Sequence, residues 1–273
     1  MTDTLHHVKA GLVAGGLIPF LGPEVLRLGG APPVPASPAE LAAALSARVG
    51  VPGRIRNNVW SSAQYIESKK HRLTLMRVMG AIFAPPVVPN RLQQWLVQIA
   101  PPLIVDAWYD AAMVTALRDA GADFAQVQAV TRNGKHEDIW FRYLNPDDSD
   151  ASADVARGCK TLLYKPHGAM APRGEFLLSD SDYVEVLTEI DIQSPIPPPV
   201  IERRTERGFV FMGCRFGEQM ERTFARQIMK RSAGPHYAVI EGDLTRNEAH
   251  FLEEQHIERI DLPLACAVTV LTA

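Results

Sequence analysis

The run Thr161-Leu-Leu-Tyr-Lys165-Pro-His167-Gly168 joins a short apolar stretch to an amine, an imidazole and a glycine. An imidazole can take and return a proton near neutral pH, so His167 is a candidate general base. In an open parallel sheet, ligands collect beyond the carboxyl ends of the strands, and Lys165, His167 and Gly168 would fall there. Phe209-Val-Phe-Met-Gly213-Cys214-Arg215 repeats the arrangement, a strand closed by glycine. Two strand-to-loop sites of this kind suit a nucleotide-sized pocket.

Other reactive side chains form no comparable pattern. Cys159, Cys214 and Cys266 lie far apart, with no C-x-x-C pair, so neither a cysteine zinc module nor a disulfide framework is expected. No histidine pairs recognisably with Cys214, which reads as a small packed residue rather than a nucleophile. His6 and His7 read as tail residues. A formal net charge of -3 argues against a nucleic-acid footprint, and no apolar run reaches the roughly 18 residues of a membrane span. No secretory leader is recognised at the N-terminus, and a reducing cytoplasm is the expected location.

The elements that must hold these loops alternate. Strands are expected at Leu17–Leu21, Leu103–Val105, Thr161–Tyr164, Phe209–Met212 and Tyr237–Ile240, with weaker ones at 257–260 and 267–271. Helices fall between most of them. Ser37-Pro-Ala-Glu40 and Thr245-Arg-Asn-Glu248 are capping boxes, and Met220, Phe224 and Ile228 make one buried stripe over Gly217–Lys230. Alternation of this sort predicts an α/β fold: a Rossmann-like, doubly wound, mostly parallel sheet in a single domain over 1–273. Residues 50–100 show several helical stretches and no clear strand, so they read as a helical cap insertion covering one side of the pocket. Met76, Met79 and Phe83 are its expected core. Asn145–Ala156 reads as an exposed loop or hairpin rim, and Ser194–Pro199 as a stiff connector.

Four strand ends come forward together: Phe20-Leu-Gly22-Pro23-Glu24, Asp106-Ala-Trp108-Tyr109-Asp110, Lys165-Pro-His167-Gly168 and Gly213-Cys214-Arg215. Their order and spacing resemble the sirtuin-like NAD-binding superfamily, in its zinc-free branch found in bacterial NAD hydrolases and defence proteins. There the corresponding ends read F-x-G-A-G-x-S, T-T-N-Y-D, K-x-H-G and G-x-S. The resemblance covers roughly residues 8–262 and is strongest from 161 onward. It implies a ligand, NAD or a related adenine nucleotide, and no zinc. It also implies site residues: His167 as general base with Asp110 in support, and Gly22, Trp108, Gly168, Gly213, Cys214, Arg215 and Glu241 around the nucleotide.

The chain departs from that pattern at the ligand-facing positions. Pro23 and Glu24 follow Gly22, where a diphosphate needs backbone N–H groups; proline has none and a carboxylate repels phosphate. Trp108 stands at the catalytic asparagine position and cannot accept a hydrogen bond from water. Arg215 replaces a serine and could bind phosphate in place of the first-loop amides. Glu24 could instead be neutralised by Arg27 or Arg215. Two readings follow. One is a divergent nucleotide-binding protein whose residual activity is NAD hydrolysis. The other is a catalytically inactive scaffold or regulatory module, to which a homo-oligomer would be suited.

Overall fold

The computed structural model describes residues 2–131, 139–189 and 196–273. One eight-stranded sheet runs through the molecule in the order β10-β9-β8-β1-β2-β5-β3-β4. Its members are β1 (Leu17–Leu21), β2 (Leu103–Asp106), β3 (Phe124–Ala129), β4 (Phe141–Leu144), β5 (Thr161–Lys165), β8 (Gly208–Met212), β9 (His236–Val239) and β10 (Ile257–Ile260). Every pairing is parallel except β3 with the edge strand β4. A small hairpin, β6 (Gly168–Ala169) with β7 (Glu175–Phe176), follows β5. The α/β, Rossmann-like expectation therefore holds.

Strand periodicity divides the core. Ile18, Phe20, Leu103, Val105, Leu162, Tyr164, Phe209 and Phe211 face one layer, and Leu17, Leu21, Ile104, Leu163, Val210 and Met212 face the other. The second layer holds α1 (Thr2–Val13), α5 (Arg91–Ile99), α6 (Ala112–Asp119) and α12 (Leu264–Leu271). The first holds α2 (Pro38–Arg48), α3 (Val59–Lys70), α4 (Arg72–Ile82), α7 (Ala153–Gly158), α8 (Asp180–Glu189), α9 (Pro198–Arg204), α10 (Gln219–Met229) and α11 (Arg246–Glu254).

Several boundaries differ from expectation. The 267–271 stretch is part of α12, because Ala267, Val268 and Leu271 bury one helical face where a strand would need alternation. β3 was not expected; its buried Gln126 and Gln128 interrupt the apolar signal while sitting inside the sheet. Asn145–Ala156 runs into α7, and Pro198 and Pro199 open α9, where proline suits the first turn. Ser194 lies outside the described residues. Within 50–100, α3 and α4 pack with each other and with α2, whereas α5 packs on α6 in the opposite layer. Leu92, Trp95 and Leu96 are therefore sheet-covering residues, not part of a cap.

At the carboxyl edge, Lys165 is fully buried and its Nζ sits 2.6 Å from Asp106 Oδ2 and 2.9 Å from the Asp110 carbonyl. The pair ties the ends of β5 and β2 together. Burial raises the Asp106 carboxyl to about 6 despite the neighbouring Lys165 ammonium. A buried pair of this kind is costly to break from one side. Lys165→Met is expected to lower stability by about 3–5 kcal/mol in urea unfolding, and adding Asp106→Leu should recover most of that loss. A double variant no more stable than the single would show that the pair does not carry this end of the sheet.

Candidate functional site

Chain order places β2 to one side of β1 and β8 to the other, so the topological switch point lies between β1 and β8. Ligand clefts of open α/β sheets form beyond the strand ends at that point. Here β1 runs into a 3-10 helix (Pro23–Gly29) through Gly22, and β8 into a loop through Gly213, which has φ +70°. The two loops touch. A Cβ on Gly22 would stand 2.4 Å from the Gly213 carbonyl oxygen, and one on Gly213 would stand 2.6 Å from the Val25 nitrogen. Only glycine fits either position.

This contact consumes the donors a phosphate would need. Gly22 N–H donates to Met212 O (2.8 Å), Glu24 N–H to Gly213 O (3.0 Å), and Val25 N–H to Gly22 O (3.3 Å). Pro23 has no N–H. The first loop as it stands does not fit a diphosphate. Among the described residues Glu24 makes no ion pair: Arg27 pairs with Glu40 (2.8 Å) and Arg215 with Glu248 (2.7 Å). Burial raises the Glu24 carboxyl, against the fields of Arg27 and Arg215.

Two cavities flank the junction. One is bounded by Gly22, Trp108, His167, Cys214 and Arg215, and by Leu41 of α2 and Trp60 of α3. Its free volume is about 60 Å³. That is room for about two to four waters, well under the roughly 150 Å³ of a cavity that takes a benzene ring. The other, of about 370 Å³, is bounded by Glu24, Arg27, Gly213, Cys214, Arg215 and Glu241. Of the residues expected at the site, Asp110 and Gly168 border neither cavity. Asp110 Oδ1 instead accepts from Ala112 N–H (2.8 Å) at the start of α6. Gly168, at φ +70°, turns the chain into the β6–β7 hairpin, where a Cβ would meet Glu175 O at 2.3 Å.

His167 is enclosed by rings. Phe224 lies 4.4 Å from it between centroids, with Tyr183 at 5.7 Å and Tyr109 at 6.4 Å. Nδ1 is 2.9 Å from the Tyr183 hydroxyl, which also lies 3.3 Å from Leu177 O, while Tyr109 donates to the same carbonyl at 2.8 Å. When the Tyr183 proton points at Leu177, Nδ1 is the donor and Nε2 is left as an acceptor for the cavity. Burial, helped by the nearby Lys165 charge, holds the imidazole down at about 3. It is neutral across the physiological range and a weak base there.

Trp108 is occupied as a structural group. Its Nε1–H donates to Pro35 O (2.7 Å), and its ring packs against Phe83 of the cap and Tyr109. Cys214 is partly buried between the two cavities, and burial raises its thiol well above the ordinary range, which disfavours the thiolate. Arg215 makes a two-pronged contact with Glu248 (2.7 and 3.0 Å) and donates to the carbonyls of Glu241 and Asp243. It therefore serves α11 and the β9 loop rather than presenting a free guanidinium.

One residue not expected from the sequence borders the first cavity: Glu221, in the first turn of α10. Its Oε2 accepts from Glu218 N–H (3.1 Å) in a capping box. Burial raises its carboxyl to about 7. The Glu218-x-x-Glu221 spacing is legible in the sequence, but capping is all it signals; what faces the cavity depends on where α10 is docked.

The class defined by this fold and edge is a Rossmann-like α/β protein with its cleft at the β1/β8 switch point. The model for the SIR2-like domain matches residues 102–260, more than half of the chain, and the chain belongs to that family, which is NAD-related. No curated protein gives a significant match. The matched span runs from β2 to β10 and leaves out the Gly22–Glu24 loop and α2–α4. Among the described residues, no group of three or more His, Cys, Asp or Glu side chains could hold a metal ion, and no helix is long and apolar enough to cross a membrane.

Glu248 gives the site a pH signature. Burial opposes its charge, but the bonds from Arg215 and Thr245 prevail and hold it at about 2, below its ordinary 4.5. A carboxyl lowered on folding stabilises above its unfolded value, and that contribution disappears as pH falls through the folded value. The thermal midpoint should therefore drop as pH falls from 4.5 toward 2. Glu248→Gln should start lower at neutral pH and lose much of this acid-limb slope. An unchanged slope in the variant would remove Glu248 from that role.

Proposed function

We propose that the chain binds NAD or a related adenine nucleotide at the β1/β8 edge without hydrolysing it efficiently, as a divergent, zinc-free sirtuin-like protein with a binding or regulatory role. The observation that carries this reading is the engagement of the first-loop amides by β8, beside a tryptophan at the catalytic asparagine position. Membership of an NAD-related family supports the ligand class, and the two cavities bordering one junction support a ligand with two ends.

The larger cleft suits the adenosine end, with Glu241 and Arg27 along its walls. Arg27 is held only by an exposed pair with Glu40, worth little, so it can turn to a phosphate. The smaller cavity lies beside His167 and would have to widen to admit a ring. Turnover would need a base and a group to place water. Enclosed by rings and close to the Lys165 charge, His167 is a weak base, and Trp108 has no side-chain acceptor to orient water.

The second reading, an inactive scaffold that binds no nucleotide, rests on the same engaged amides. Thermal unfolding separates the two. NAD or ADP-ribose at millimolar concentration should raise the midpoint by about 2–5 °C. No rise with either ligand would favour the scaffold. Release of nicotinamide from NAD should stay near background; rapid release abolished by His167→Ala would overturn the non-hydrolysing reading and make His167 the base.

A further inference from the structure

The proline-rich stretches of this chain are used differently. Around Pro32-Pro33-Val34-Pro35 the chain turns inward: Val34 and Ala36 are buried, and Trp108 donates to Pro35 O. Pro198 and Pro199 open α9. Pro85-Pro86-Val87-Val88-Pro89 joins α4 to α5, is not helical, and has no fully buried residue. Its residues make no backbone–backbone hydrogen bond, and Pro89 O accepts from the Gln94 side chain at 3.4 Å.

Residue type dictates the shape of this segment. A pyrrolidine ring holds φ at about −65° at Pro85, Pro86 and Pro89, and the proline that follows keeps Ala84, Pro85 and Val88 extended. From a bend at Pro85 the chain runs into Asn90, at φ −89° and ψ 177°. Such a run is polyproline II, with about three residues per turn, and it presents three edges. One edge is anchored: Val87 packs on the core, and Asn90 is buried with its amide donating to Val25 O at 3.0 Å. The other two face outward, Pro85 with Val88 and Pro86 with the half-buried Pro89; Val88 is 80% exposed. Arg91 follows, exposed, with its guanidinium bonded to Thr272 O at 3.3 Å and to no carboxylate among the described residues.

We propose that residues 85–89 are a docking ridge for a polyproline-reading protein module, one whose groove is lined by aromatic rings and carries a carboxylate where it meets Arg91. Pro86 and Pro89 stand one turn, about 9 Å, apart, with Pro85 and Val88 beside them, as apolar knobs for slots between rings. The carbonyls along the segment are left for donors on the partner. The unmatched Arg91 charge calls for an acidic group opposite it. Because the core already holds Val87 and Asn90, the ridge is ordered before it docks, and little conformational entropy is lost. A spacer between α4 and α5 needs stiffness alone. Two apolar edges left in water, with a cation at one end, go beyond that need.

Titration calorimetry of the intact chain against a panel of isolated SH3 modules with acidic groove rims tests this, because their grooves carry the required rings. At least one should bind with a dissociation constant below about 0.5 mM. Val88→Glu changes a side chain that lies mostly in solvent, so the thermal midpoint should stay within about 1 °C while binding weakens at least about tenfold. Arg91→Glu should weaken binding about threefold or more at low salt, and by less at about 0.5 M salt. Pro33→Ala, in the inward-turning stretch, should bind as the native chain does. Binding of no module, undiminished binding by the Val88 or Arg91 variant, or an equal loss in Pro33→Ala would overturn the proposal.

Discussion

The backbone contact between Gly22 and Gly213 is the constraint from which the rest of the edge follows. Parallel strands β1 and β8 lie side by side over their full length, from Leu17 opposite Gly208 to Leu21 opposite Met212. Their loops must leave the sheet through the same narrow space. The absence of a Cβ at both positions lets the loops close on each other. Once closed, they satisfy each other's hydrogen bonds, as buried backbone must. The same bonds that stabilise the junction remove the donors of an anion cradle. They also divide the cleft into an apolar, ring-lined chamber and a wider one of mixed lining.

Much of the charge around this junction is arranged in matched pairs. Lys165 is bound by Asp106 behind β5, and Arg215 by Glu248 beyond β8. Each pair fastens one element to its neighbour, and neither cation is left to meet a ligand. His167 is held neutral by burial among Phe224, which lies tilted against it, and Tyr183, which meets it edge-on. Glu24 and Glu221 are the exceptions, carboxyls that make no ion pair among the described residues. Helices α2 and α3 border the chamber through Leu41 and Trp60, while Phe83, at the end of α4, packs against Trp108.

Much of the fold was legible because its signals are local. The apolar runs of β1, β2, β5, β8 and β9, the Ser37 and Thr245 caps and the Phe224 stripe all report structure within a few residues. Misreadings arose where a longer context overruled the local one. β3 buries glutamines because its neighbours satisfy them; Gln128, for example, donates to Ala171 O. The 267–271 stretch packs as a helix against α1, although Val-Thr-Val favours strand. Arg91–Ile99 has the expected helical stripe, but which layer the stripe faces is not encoded by period.

By itself, the sequence determined five of the parallel strands and the loops that follow them, the presence of His167 after β5, and a tryptophan at position 108 whose side chain has no acceptor. These are matters of residue type and short-range pattern. Only the tertiary structure decided that Arg215 is held by Glu248, that Asp110 caps α6, that the first-loop amides are taken by β8, and that Glu221 faces the ring-lined chamber. Each of these depends on residues distant in sequence meeting across the sheet edge. Whether a charged side chain is matched or left to a ligand depends on what folding brings beside it, which residue type and spacing do not specify.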